Sequence, residues 1–276
     1  MSGALVVVGT PIGNLGDLTP RAVDALSAAD LVACEDTRRT GRLLAHAGVD
    51  KPDYVVVNDH TEARAVGRVL ARLDAGDRVA LVTDAGMPGI ADPGARLVSA
   101  ALDAGHRVEV VPGPTAAVAA LVASGMAAGR WCYEGFLPRK GSARRRRLQE
   151  LVDEPRTVVL YEAPHRLTDS LGDLRAALGE DRRVTIAREL TKLHEEVWRG
   201  TLAEAVERFE RTAPRGEIVV VVEGAPAPSP PADEEVAAAL RERLGRGISR
   251  RDAAAEVARD LGVPRRRAYE LAAELS

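Results

Sequence analysis

Asp84-Ala-Gly-Met-Pro-Gly-Ile-Ala-Asp-Pro-Gly94 follows the apolar run Arg78-Val-Ala-Leu-Val-Thr83. The run reads as a buried strand. Three glycines, two prolines and two aspartates in the eleven residues after it suit neither helix nor strand. They predict a shaped loop at the carboxyl end of a strand, where open α/β sheets place their ligands. A plain connecting turn does not need this much backbone shaping.

The same rhythm runs to both sides of the loop. Strands are expected at Ala4 to Val8, Leu31 to Cys34, Tyr54 to Val57 and Arg107 to Val111. Helices are expected between them: one capped by Thr19 with Pro20 at its first position, then Arg38 to His46, Glu62 to Leu73 and Gly94 to Ala104. Strand-helix alternation predicts a mostly parallel sheet. Past Val111-Pro-Gly-Pro-Thr115 the pattern coarsens. Thr157 to Tyr161, Arg183 to Arg188, Glu196 to Arg199 and Glu217 to Val222 read as strands of a second sheet. Short connections predict antiparallel pairing among them. Leu167 to Leu178 and Leu202 to Arg211 read as helices. Ala225 to Ala232 holds four prolines in eight residues, a semi-stiff spacer before a small helical module. The expected division is therefore 1–114, 115–224, a linker at 225–232 and a helical module at 233–276.

Composition narrows the classes. With 46% apolar residues but only 3% aromatics, the core must be Ala, Val and Leu. A net charge of −3 confines any nucleic-acid surface to a local patch. Cys34 and Cys132 make neither a disulfide framework nor a metal pattern, and His165 and His194 lack a partner at ligand spacing, so no metal is expected. No apolar run approaches about 18 residues and no leader is evident, so the expectation is a cytoplasmic protein without a membrane partner.

Several stretches carry candidate chemistry. Gly9-Thr-Pro-Ile-Gly-Asn-Leu-Gly-Asp-Leu-Thr19 joins the first strand to the first helix, yet its spacing fits neither the dinucleotide fingerprint nor a P-loop. Cys34-Glu-Asp-Thr-Arg38 sets carboxylates at a strand end, where they suit a general base. Asp36 serves equally well as a helix cap, and the sequence leaves both roles open. Arg139, Lys140 and Arg144 to Arg147 put six basic residues behind Tyr133 and Phe136 with no acid among them, which reads as a phosphate-binding patch. Ser249 to Leu271 reads helix, glycine turn, helix, with Arg265, Arg266 and Arg267 opening the second helix.

Seven motifs now stand in order: the Gly9 and Cys34 stretches, Asp84 to Gly94, Val111 to Thr115, Glu134-Gly-Phe-Leu-Pro138, Tyr161-Glu-Ala-Pro-His-Arg166 and Ala187-Arg-Glu-Leu-Thr-Lys192. Together they resemble the small-subunit ribosomal RNA 2′-O-ribose methyltransferases of the tetrapyrrole-methylase-like superfamily. The likeness spans almost the whole chain. One departure is Met87, where the familiar loop reads Gly-Thr-Pro-Gly. The resemblance implies a two-domain tetrapyrrole-methylase-like fold with S-adenosylmethionine in the cleft, followed by a helix-turn-helix-like module. It further implies a homodimer, and a cytidine of 16S rRNA (cytidine 1402) in the small ribosomal subunit as target. Residue by residue it points to Gly9, Pro11, Asp84, Gly86, Ile90, Thr115, Ala116, Tyr161 and Ala187 as cofactor contacts. For deprotonating a ribose hydroxyl the candidates are Glu35 and Asp36 as carboxylates, with Lys192 or Arg188 as a cation. Arg139, Lys140, Arg144, Arg145, Arg146, Arg147 and Arg265 to Arg267 are the expected RNA contacts. Two rivals remain: a tetrapyrrole or corrinoid methyltransferase, and a nucleic-acid-binding regulator that senses a ligand.

Overall fold

The computed structural model describes residues 3–50, 53–58, 61–212, 214–226 and 231–275. By density of contacts the chain divides into Met1–Ala225 and Pro226–Ser276. In the first unit, β1 (Ala4–Val8), α1 (Pro20–Ser27), β2 (Leu31–Cys34), α2 (Thr37–Ala47), β3 (Asp53–Val56), α3 (Glu62–Asp74), β4 (Arg78–Leu81), α4 (Ala95–Asp103) and β5 (Arg107–Val111) build a five-stranded sheet. Its order is β3-β2-β4-β1-β5 and every pairing is parallel. β1 is buried throughout because it sits inside the sheet with helices on both faces. Leu5 and Val7 pack toward α3 and α4 with Val69, Leu73 and Leu97. Val6 and Val8 pack the other way, with Ala22, Leu26 and Leu44 of α1 and α2.

The chain then forms α5 (Ala116–Ser124), β6 (Trp131–Phe136), α6 (Gly141–Val152), β7 (Thr157–Glu162), α7 (Leu167–Leu178), β8 (Arg183–Arg188), β9 (Glu196–Thr201), α8 (Leu202–Arg211) and β10 (Ile218–Val222). The second sheet has the order β6-β7-β10-β8-β9, with only β6 and β7 parallel. The two-residue period of β10 divides its core. Ile218, Val220 and Val222 join the cluster under α6, α7 and α8. Val219 and Val221 turn to the face covered by α5.

Three elements went unread in the sequence. α5 is Ala-Ala-Val-Ala-Ala-Leu-Val-Ala-Ser, apolar nearly all round, so it shows no helical periodicity. β6 is broken by a bulge at Tyr133/Gly135. In α6 a run of four arginines hides the Leu148 and Leu151 stripe.

In the second unit, α9 (Asp233–Gly245), α10 (Arg250–Asp260) and α11 (Arg265–Glu274) close on Val236, Leu240, Val257 and Ala268. Ser249 caps α10, and Gly262 makes the following turn at φ 64°. Of the proline spacer expected at Ala225 to Ala232, residues 227–230 lie outside the described residues.

A tight backbone approach joins β1 to the segment after β5. A Cβ added to Gly9 would lie 2.5 Å from the Gly113 nitrogen. Both walls of that contact are backbone and cannot yield cheaply. Gly9→Ala is expected to cost about 2 kcal/mol or more in urea unfolding, in the range of other overpacked positions. A variant as stable as the parent would contradict this tight crossing.

Candidate active site

Two loops meet at the carboxyl edge of the first sheet. The Thr10 N–H donates to the Gly86 carbonyl at 2.9 Å, and the Gly86 N–H returns to the Thr10 carbonyl at 3.1 Å. The Thr10 hydroxyl, fully buried, donates to the Thr83 carbonyl at 3.2 Å. The far end of the central loop is held from α3. Buried Glu62 accepts from the Gly94 and Arg96 N–H groups at 3.0 and 3.2 Å. It thereby caps α4 from outside that helix's own sequence. Gly86 and Gly89 adopt φ of 83° and 82°, which glycine reaches without a Cβ penalty. Met87 turns its side chain onto the sheet core beneath, which accounts for an apolar residue at this departure from the familiar motif.

The central loop forms one wall of a cleft of about 470 Å³. α5 and the second sheet form the opposite wall. Thr115 caps α5, its Oγ1 accepting from the Val118 N–H at 3.4 Å. The Tyr161 hydroxyl accepts from the Ala117 N–H at 3.2 Å, and its ring meets Tyr133 and Phe136 edge-on at 5.3 and 5.8 Å. Ile12, Ile90, Ala187 and Val219 supply apolar lining, whereas Glu35, Asp84 and Asp92 supply carboxyls. A smaller cavity of about 310 Å³ adjoins it, sharing Ile12, Arg39, Asp84 and Glu217 and adding Pro11, Thr83 and Lys192.

The fold thus gathers Asp84, Gly86, Ile90, Thr115, Ala116, Tyr161, Ala187 and Glu35 in the cleft, with Pro11 and Lys192 next door. Gly9 lines neither; it serves the backbone crossing with Gly113. Two catalytic candidates are committed elsewhere. Asp36 caps α2 through the Arg38 N–H at 2.8 Å, and its hydrogen bonds from the Arg38 side chain and backbone hold its pKa down to about 2. A carboxylate that acidic is a poor base. Arg188 is paired with Glu196 at 3.1 Å along the β8–β9 ladder. Lys192 lies between Glu189 and Glu217, its Nζ at 2.8 and 3.2 Å from their oxygens. Burial works against its charge, but the two carboxylates outweigh it and raise its pKa, so it stays a cation. Its stem packs on Gly13, and Asn14 donates to the Thr191 hydroxyl at 3.0 Å, which ties the first loop to the turn after β8.

The sequence reading overlooked Asp92. It is half-buried in the cleft with Glu35 and Asp84 nearby. Burial first, then the charge of Glu35, pushes its pKa up to about 6, against a hydrogen bond from Thr83 that lowers it. The Thr83 hydroxyl also donates to Glu35 at 3.2 Å, so one hydroxyl serves two carboxyls. Asp84 is likewise raised, chiefly by burial, with the Arg39 guanidinium 3.3 Å away opposing it. Its Oδ1 is buried and has no hydrogen-bond partner among the described residues. A buried acceptor left open in a cleft invites a ligand's donor. Arg39 was also missed: nothing in an Arg-Arg doublet says which of the two turns inward.

The basic patch needs correction. Arg144 is buried, donating to Asp173 at 2.6 Å and to the Pro138 carbonyl and Ser170 hydroxyl at 3.0 Å. Its guanidinium fork is fully used inside the protein, so it does not face RNA. Arg147 pairs with Glu134 and Glu150, and Arg146 approaches Glu150 at 4.0 Å. A run without acids in sequence therefore meets three in space. Arg267 is bound to Asp233 and to the Pro231 carbonyl as a strap within the helical module. Arg266 pairs with Glu270 at 2.8 Å, and Arg265 is exposed.

Residues 4–206 match the family model for tetrapyrrole (corrin/porphyrin) methylases. A Synechocystis protein named ribosomal RNA small subunit methyltransferase I is 46% identical, over 99% of this chain and 98% of its own. The chain belongs to the tetrapyrrole (corrin/porphyrin) methylase family and, within it, to the ribosomal RNA small subunit methyltransferase I group. Among solved structures, uroporphyrin-III-C-methyltransferase from Thermus thermophilus aligns with a TM-score of 0.56 at 26% identity, covering 79% of this chain and 94% of its own. A further Thermus thermophilus structure of that enzyme, complexed with S-adenyl homocysteine, aligns at 0.57 and 20% identity over 80% and 96% of the two chains. At that identity the second likeness speaks for the fold.

Asp92 also gives a pH-dependent stability effect. Its carboxyl ionises above about 6 when folded, but near the ordinary carboxylate value when unfolded. Folding is therefore penalised as pH rises through that window, and the penalty stays full above it. Asp92→Asn is expected to melt with the parent at pH 3.5 and higher than the parent at pH 8. The gain is on the order of 1 kcal/mol once solvent screening of a half-exposed group is counted. Equal melting temperatures at pH 8 would contradict the raised pKa.

Proposed function

We propose that this protein transfers the methyl group of S-adenosylmethionine to the 2′-hydroxyl of a cytidine in the decoding centre of 16S rRNA, cytidine 1402. The observation that carries this reading is 46% identity over nearly the full length of a relative named for the small-subunit rRNA activity. The cleft supports it. Its volume of about 470 Å³ lies in the usual range for small-ligand sites. Its apolar lining suits a purine, and the open acceptor on Asp84 suits a hydroxyl or ammonium donor. The residues that would hold the cofactor are Asp84, Gly86, Ile90, Thr115, Ala116, Tyr161 and Ala187, with Pro11 at the adjoining cavity.

When bound, S-adenosylmethionine supplies an electrophilic methyl group whose thioether leaves neutral. The protein must then align the acceptor hydroxyl and remove its proton. Orientation is the larger of these contributions, about 7–11 kcal/mol in favourable intramolecular cases. Asp92 is the base we favour, with Glu35 beside it. A carboxylate with pKa near 6 is mostly ionised at neutral pH yet more basic than an ordinary one. Thr83 fixes the pair, and Lys192 with Arg39 balances the negative charge around them. A homodimer acting in the cytoplasm completes the reading. No described helix is long and apolar enough to cross a membrane.

Tritiated methyl transfer from S-adenosylmethionine tests the reaction. Label is expected in small ribosomal subunits lacking this modification and in none of the tetrapyrroles offered in parallel. Label in a tetrapyrrole alone would move the protein to the small-molecule branch. No label in either would favour a ligand-sensing regulator.

The helical module is assigned to RNA through Arg265 and its exposed neighbours. Deleting Asp233 to Ser276 is expected to leave cofactor affinity intact by calorimetry. RNA affinity should fall, and the slope of log K against log salt should become shallower. Unchanged RNA affinity would remove the module from the RNA surface.

A further inference from the structure

A second, larger groove of about 1240 Å³ lies on the second sheet's helix side. It is bounded by α6, α7 and the segment between β6 and α6. Phe136 and Ala163 line both this groove and the cofactor cleft, so the two adjoin there. Arg139, Lys140 and Arg145 line it, are exposed, and form no ion pair among the described residues. That sets them apart from Arg144, Arg146 and Arg147, whose charges are answered by carboxylates.

Phe136 is built into position. β6 bulges between Tyr133 and Gly135 where it pairs with β7, and Gly135 takes φ 60°. A bulge re-aims the side chain that follows it. Phe136 is left 50% exposed, with Tyr161 edge-on at 5.8 Å on one side only. The backbone after it is pinned from below. Arg166 donates to the Leu137 carbonyl at 2.9 Å, and Arg144 to the Pro138 carbonyl at 3.0 Å. Arg144 also donates to Ser170, which in turn donates to buried Glu162. This fixed floor holds an exposed aromatic ring and three free cations along one channel.

We propose that this groove is the track by which single-stranded RNA enters the cleft. The ring of Phe136 stacks on one base at the junction, and Arg139, Lys140 and Arg145 hold backbone phosphates. An aromatic platform beside unpaired cations is what sequence-tolerant single-strand binding requires. The inference rests on the RNA reading above and assigns a path and an entry residue to it.

The test uses the full chain, a short single-stranded RNA oligonucleotide and fluorescence anisotropy across a salt series. Replacing Arg139, Lys140 and Arg145 together by alanine is expected to weaken binding at least tenfold. Three lost phosphate contacts should reduce the salt slope by about 2. Phe136→Leu keeps bulk without a stacking face. It should lose about tenfold in affinity with the salt slope unchanged, and Phe136→Trp should restore binding. Melting temperatures check that each variant is folded. Parent-like affinity and slope in the triple variant, with the parent binding RNA well, would overturn the groove alone. A parent that neither binds RNA nor labels small subunits would overturn the RNA reading itself. Loss of inorganic polyphosphate binding equal to that of RNA, with Phe136→Leu indistinguishable from the parent, would reduce the groove to a polyanion patch.

Discussion

The site depends on backbone meeting backbone at the carboxyl edge of β1. Gly9 lies against Gly113, and Thr10 exchanges two hydrogen bonds with Gly86. These contacts bring three loops, far apart in the chain, to one point. Side chains there would have held the loops apart. Because the ties are main-chain hydrogen bonds and steric contacts, they fix the loops without using any functional group. The polar side chains around them are left free for ligand chemistry.

What those side chains do follows from their crowding. Glu35, Asp84, Asp92 and Glu217 line the two adjoining cavities together with the cations Arg39, Arg42 and Lys192. One hydroxyl, Thr83, serves Glu35 and Asp92. Burial, and after it repulsion within such a group, lifts the pKa of Asp92. It costs stability, and it makes the carboxyl more basic than an ordinary one. Asp36 shows the opposite outcome one residue from Glu35. Set at a helix N-terminus and held by Arg38, it is stabilised as an anion and loses its basicity.

Legibility in the sequence followed the same physics. β1, β2, β5, β8 and the helices around them announce themselves through periodicity and caps such as Thr19-Pro20. The central loop announces itself through glycine and proline. Asp84 and Tyr161 came from the resemblance, and the fold gathers them with the rest of the cleft lining. Asp92 was in plain view but had no signal of its own, because its raised pKa comes first from burial and then from Glu35, which the fold brings in from the end of β2. α5 was invisible because its exposed face carries Val118 and Val122 in place of polar residues, so it has no polar stripe. Gly135, quoted only as part of a motif, is the αL residue of a bulge within a strand.

The arginine-rich stretch carries the sharpest lesson about reading charge. A run of basic residues in sequence says how much charge is present, not where it goes. On α6 the helical turn sends Arg144 inward, where its planar fork satisfies a carboxylate, a carbonyl and a hydroxyl at once. A lysine has neither the fork nor the reach for those three partners. Arg146 and Arg147 turn toward Glu134 and Glu150. Only Arg139, Lys140 and Arg145 are left to meet a polyanion, and they line the groove that opens beside Phe136. The buried arginine thus ties α6 to α7 and to the Pro138 carbonyl beneath that groove, while the unpaired cations stand at its rim.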